Sequence, residues 1–174
     1  MSSLFNVKAK QYFLTRWKGA LLALLFSLCP LHAAFADDWK LKDVNGVHYK
    51  LSEEKGKWVL VNFWAPWCSP CLAEMPGLDA LQKQHKDLLV IGVAVQYRKI
   101  QEVTDAIRSL SVAYPIVLGN EDIASDFGGM NGMPTSFLYA PSGKLVGHHE
   151  GPLTQEEVEQ AMAQKQGSAD VFTH

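Results

Sequence analysis

The sequence predicts an α/β domain in which strands alternate with helices, and three observations carry that expectation. Trp58-Val-Leu-Val-Asn-Phe-Trp64 is a short, nearly unbroken apolar run, the pattern of a central strand buried on both faces. Ile100, Val103, Ile107 and Leu110 recur at spacings of three, four and three, which lays one apolar stripe along a helix. Between residues 37 and 166 no internal repeat, low-complexity tract or long linker interrupts the alternation, so one core is expected.

Of the 174 residues 48% are hydrophobic and 20% charged, a globular composition rather than a fibrous or disordered one. The net charge of -2 gives no basic surplus, and after Lys18 the cations are scattered among acids, so nucleic acid is not an expected partner. Residues 1–36 hold Lys8, Lys10, Arg16 and Lys18 and no acid, and Gly19 to Ala36 is almost wholly apolar. That run closes on Ala34-Phe35-Ala36 and gives way to Asp37-Asp38, as a secretory signal peptide does at its cleavage site. Export to the periplasm is the reading. The alternative is an uncleaved inner-membrane anchor facing the periplasm, since ~17–25 apolar residues cross a bilayer; Pro30 and His32 sit badly in lipid, and cleavage is preferred. Cys29 lacks the small residue before it that a lipidation signal would show. Removal of 1–36 leaves 138 residues with 12 Lys and Arg against 18 Asp and Glu, a net -6. It also leaves Cys68 and Cys71 as the only cysteines, a pair in an oxidising compartment.

Along the mature chain, Trp39 to Val44 and Val47 to Leu51 alternate about Asn45-Gly46, a two-residue hairpin signal. The buried strand Trp58 to Trp64 follows. Cys71 to His85 reads as a helix carrying Leu72, Met75, Leu78 and Leu81, with a kink expected at Pro76. Leu88 to Val95 is a second buried strand, Ile100 to Leu110 an amphipathic helix over one face of the sheet, and Ala113 to Leu118 a third strand. Thr135 to Tyr139 and Lys144 to His149 make a final hairpin turned by Pro141-Ser142-Gly143. Thr154 with Glu157 is a capping box opening a last helix with Val158, Ala161 and Met162 on its apolar stripe. Residues 167–174 read as a disordered tail.

The chemistry lies at Cys68-Ser69-Pro70-Cys71, where the buried strand turns into the first long helix. A sulfur at a helix N-terminus meets unpaired N–H groups and the positive end of the macrodipole, which can bring a thiol from ~8.5 down to between ~3.5 and ~7.5. Cys68 is therefore the expected nucleophile, and Cys71, one turn inward, the resolving thiol that attacks the mixed disulfide. A structural disulfide, a zinc site and haem attachment are the alternatives. A four-residue loop constrains the unfolded chain little. Zinc needs two more ligands, and only His148-His149 offers a pair. Haem attachment needs a histidine where Leu72 stands. No metal or cofactor is expected.

Trp64-Ala65-Pro66-Trp67-Cys68-Ser69-Pro70-Cys71 resembles the thioredoxin active site. Its continuation Leu72-Ala73-Glu74-Met75-Pro76 resembles the TlpA-like branch of that superfamily, exported reductases of the ResA and CcmG type. The resemblance covers residues 38 to 165. It implies a thioredoxin-like fold: a central mixed sheet flanked by helices, with an N-terminal β-hairpin and an inserted helix around Ile100 to Leu110. Gly132-Met133-Pro134-Thr135 resembles the family's cis-proline loop; with only ~5–6% of X–Pro bonds cis in folded proteins, spacing alone would make it an ordinary turn. The resemblance implies that Met133, Pro134 and Thr135 face the cysteines and contact substrate. Trp67 shapes the surface beside Cys68.

Cytosolic thioredoxins carry a buried aspartate where this chain has Asn62, so that base is missing. In TlpA-like proteins a glutamate at the place of Glu74 is held near the active site, and burial would bring its pKa towards the working pH, suiting it to move the Cys71 proton. The alternative is an exposed first-turn glutamate that complements the dipole. Together these residues point to an exported thiol:disulfide oxidoreductase that reduces particular protein disulfides; apocytochrome c in cytochrome c maturation is one candidate substrate, which the sequence does not distinguish from other exported disulfides. The resemblance implies recharging by a membrane thiol donor of the DsbD or CcdA type, and the protein is expected to act as a monomer. A thiol oxidase or isomerase is the runner-up, and a haem- or apocytochrome-binding chaperone a reading from another class.

Overall fold

The computed structural model describes residues 38–164, so the expected leader (1–36) and tail (167–174) lie outside the described residues. In chain order the elements are β1 (Lys40–Lys42), β2 (His48–Lys50), β3 (Trp58–Trp64), α1 (Ser69–Gln84), β4 (Leu88–Ala94), α2 (Ile100–Leu110), β5 (Ile116–Leu118), α3 (Glu121–Asp126), β6 (Thr135–Tyr139), β7 (Leu145–Glu150) and α4 (Gln155–Ala163). Five strands form a mixed sheet ordered β5-β4-β3-β6-β7, in which β3, β4 and β5 run parallel and β6 and β7 pair antiparallel. β1 and β2 make a separate antiparallel hairpin. This is the thioredoxin-like fold that the resemblance implied.

Successive side chains of a strand point to opposite faces, and β3 uses both. Leu60 and Trp64 pack with Met75, Leu78 and Leu81 of α1, Val103 of α2 and Val158 of α4. Val59, Val61 and Phe63 enter a second cluster with Trp39 and Leu41 of the hairpin region and with Phe127 and Phe137. Each fully buried Leu or Phe contributes roughly 1.5–3 kcal/mol, so both faces of β3 require a cover. Helices α1, α2 and α4 supply one; the hairpin and the end of α3 supply the other.

Four elements depart from expectation. The hairpin loop spans three residues rather than two: the Asp43 N–H donates to the Val47 carbonyl at 2.9 Å, while the Asp43 carboxylate accepts the N–H groups of Asn45 (2.9 Å) and Val47 (2.8 Å). Gly46 closes the loop at φ +86°, a left-handed conformation that glycine adopts without steric cost. The strand expected over Ala113–Leu118 is confined to Ile116–Leu118, because the Ala113 N–H is bound by Asp79 Oδ1 at 2.8 Å. Helix α1 begins at Ser69 and continues through Pro76 to Gln84. The short α3 has six residues, too few for an apolar period to show; Asn120 caps it, accepting the Ile123 N–H at 2.9 Å. The capping box on α4 forms as expected, with the Thr154 N–H donating to Glu157 Oε2 at 2.8 Å.

Candidate active site

β3 delivers the chain to Trp64, and five residues later α1 begins with Cys68 as its N-cap. Pro70 fits the first turn because an N–H there has no intrahelical partner to lose. The Cys68 Sγ accepts the Cys71 N–H at 3.3 Å, so the sulfur occupies the place that a capping oxygen takes elsewhere. Cys68 and Cys71 are joined by a disulfide with their Cα atoms 5.3 Å apart. Of the two, Cys68 keeps a sliver of surface, 5% exposed, whereas Cys71 is wholly buried.

Glu74 lies one turn beyond Cys71 on the same helix and is 8% exposed, so it is not the solvent-facing glutamate of the alternative reading. Its Oε1 accepts Asn62 Nδ2–H at 2.8 Å, and its Oε2 accepts the Leu153 N–H at 2.6 Å. Burial pushes its pKa up from 4.5 to about 7; the Leu153 and Asn62 donors, which favour the carboxylate, offset part of that rise. Nearby, Tyr114 is buried and its phenol is held well above the usual range, by burial first and then by the Glu74 and Asp79 charges. Room for that ring comes from Gly92, beside Asn62 in the sheet: an added Cβ would come within 2.9 Å of Tyr114 and 2.8 Å of Ile116.

The other expected contributors are arranged around this core. The Met133–Pro134 bond is cis, Thr135 pairs with Phe63 at the end of β3, and the Thr135 hydroxyl donates to the Gly132 carbonyl at 2.8 Å. Met133 packs against the cluster that contains both cysteines. Trp67 is 61% exposed, and its indole N–H donates to the Gln96 carbonyl at 3.0 Å, fixing an aromatic surface next to Cys68. An open groove beside it is lined by Trp67, Gln96, Arg98 and Glu102. Among the described residues no group of three or more His, Cys, Asp or Glu side chains could hold a metal. His85 meets Glu159 at 3.0 Å, and His148 stacks on Phe137.

Sequence reasoning missed two contributors. Ser136 lies opposite Asn62 in the β3–β6 register, and its Oγ accepts Asn62 Nδ2–H at 3.0 Å. The available signal was Asn62, a lone polar residue in an otherwise apolar strand; Ser136, which follows Thr135, gave none of its own. The Leu153 main-chain donor carries no signal at all, since any residue presents an N–H.

A cysteine pair closing the first turn of the helix that leaves the central strand, beside an X–cis-Pro bond, defines a class: the thioredoxin-fold thiol-disulfide oxidoreductases. The chain belongs to the AhpC/TSA family, whose sequence profile matches residues 33–148. It is 35% identical over 131 residues to the thioredoxin-like protein YneN of Bacillus subtilis (strain 168), covering 73% of this chain and 76% of that one. With the thiol-disulfide oxidoreductase ResA of the same strain it shares 34% identity over 129 residues, 73% of this chain and 72% of the relative. The crystal structure of a thioredoxin-family thiol:disulfide interchange protein from Chlorobium tepidum TLS superposes with a TM-score of 0.65 at 27% identity, covering 74% of this chain and 93% of that one.

Proposed function

We propose that the protein works outside the cytoplasm as a reductant of particular protein disulfides. The Cys68 thiolate attacks one sulfur of the substrate, releasing the other as a thiolate and leaving a mixed disulfide. Cys71 then loses its proton, attacks Cys68 Sγ, and frees the substrate as a dithiol; the enzyme is left with the Cys68–Cys71 bond present in the structure. Two electrons have passed to the substrate, and an external dithiol must return them. A membrane thiol carrier of the DsbD or CcdA type is the proposed source, and apocytochrome c in cytochrome c maturation the proposed substrate.

The observation that carries this reading is the buried Glu74, next to Cys71 on one helix and hydrogen-bonded only by neutral donors. A carboxyl titrating near neutrality can accept the Cys71 proton and return it. Cys68 is proposed as nucleophile, Cys71 as resolving thiol, Glu74 as proton acceptor, and Trp67 and Met133 as the substrate-contacting surface, with the buried Pro134 and Thr135 setting the loop behind Met133. Export is supported by the basic, then apolar, 1–36 leader; among the described residues no helix is long and apolar enough to cross a membrane.

The decisive measurement is the reduction potential of the Cys68–Cys71 pair. A value near the ~-270 mV of thioredoxin, or lower, is expected; one near the ~-120 mV of DsbA would make the protein an oxidant instead. Cys68→Ser separates chemistry from chaperoning, because reduction of insulin or an apocytochrome should then disappear, and its survival would end the enzyme reading.

A further inference from the structure

We infer that Asn62 is a positioning residue for the thiol chemistry: its amide, braced by Ser136, donates to the Glu74 carboxylate and holds it against the helix that carries Cys71. The inference rests on the proton-transfer role proposed above for Glu74.

Asn62 is wholly buried within Val61-Asn62-Phe63, where a polar side chain is costly unless it is hydrogen-bonded. Both amide protons are used: one goes to Glu74 Oε1 at 2.8 Å and the other to Ser136 Oγ at 3.0 Å. The second bond fixes the amide plane from β6 while the first fixes the glutamate from β3. With Leu153 N–H on Oε2, each carboxylate oxygen has a donor, and none of these donors is a cation that would lock the charge. The titratable groups near Glu74 are Cys71 on its own helix and Tyr114 from the approach to β5. β3 and β6 present Asn62 and Ser136, which do not titrate, and the segment ahead of α4 presents a main-chain N–H.

An amide donates without carrying a charge, so it steadies the Glu74 carboxylate without locking it. When Glu74 is ionised, Nδ2 donates to it. Leucine offers no donor. Aspartate would place a second carboxyl in the same pocket, and the pair would share one proton.

The test follows Glu74 by carboxyl carbon-13 NMR in the oxidised protein, and the pH profile of disulfide reduction by the dithiol form, for Asn62→Leu, Asn62→Asp and Ser136→Ala. Loss of the donor should move the Glu74 midpoint up by about one pH unit in Asn62→Leu, further in Asn62→Asp, and less in Ser136→Ala. The rate profile should shift with it. A midpoint unchanged in the folded Asn62→Leu and Ser136→Ala proteins overturns the inference and leaves the role of Glu74 standing. A midpoint that moves while the rate profile stays overturns the proton-transfer reading, and the positioning role with it.

Discussion

Glu74 and Asp79 lie five residues apart on α1, 8% and 6% exposed, yet their acidities are perturbed in opposite directions. Burial pushes both up. At Asp79 the Lys83 ammonium and the N–H groups of Ala113 and Tyr114 outweigh it, holding the carboxyl below its usual 3.8. At Glu74 the donors are an amide and one main-chain N–H, burial wins, and the value reaches about 7. The difference separates a carboxylate that ties α1 to the segment ahead of β5 from one that is free to exchange a proton. The two differ in depth as well as in partners: Glu74 lies deeper in the core, and only Asp79 has a cation beside it.

Glu74→Gln tests the contrast most severely. Removing a general base costs ~10²–10⁴-fold, so reduction should slow by about a hundredfold or more and its profile lose the ionisation near neutrality; an unchanged profile would make Glu74 a second Asp79. Stability should also depend on pH through this group. The folded chain holds the Glu74 proton more tightly than the unfolded chain, so its contribution is full below 4.5 and is lost as pH rises to about 7. The total is on the order of 3 kcal/mol at 1.36 kcal/mol per pH unit. Denaturant titrations between pH 4 and 8 should show that decline in the parent and not in Glu74→Gln.

Asp79→Asn should leave the rate profile in place while costing about 1–3 kcal/mol, because the Ala113 and Tyr114 donors lose a charged acceptor. Asp79 contributes its stability above its unfolded value and loses it as pH falls through its lowered folded value, the opposite sense to Glu74. The smallest effect belongs to Lys83→Ala. That ammonium is 63% exposed, and a screened pair of this kind contributes about 0–1 kcal/mol. A thermal-unfolding shift of several degrees would mean that the cation does more than the contrast assigns to it.

Much of this was legible in the chain itself. Ile100–Leu110 and Thr135–Tyr139 end where the apolar spacing places them, and Trp58–Trp64 is the central strand its composition suggests. Elements decided by one side chain reaching another part of the chain were not legible. Asp43 reshapes the hairpin loop and Asp79 truncates β5, each by binding main-chain N–H groups that pattern analysis leaves to neighbouring residues. At the site, Cys68 and Cys71 announce themselves by spacing, and Glu74 by its family position. That Asn62 is a donor to Glu74, rather than only a base lost, needed the register of β3 with β6 and the place of Leu153.

The β1–β2 hairpin has a consequence for association. Through the Asp43–Val117 bridge and a Val44 N–H donated to the Ile116 carbonyl at 2.8 Å, it lies along β5 and takes up hydrogen-bonding groups of a strand at the sheet margin. Open margins invite pairing between molecules. The opposite margin, β7, carries His148, His149 and Glu150, a polar ending ill suited to stacking edge to edge. If this cover limits self-association as well as closing the core, excising residues 40–50 should yield a protein whose apparent mass in sedimentation grows with concentration.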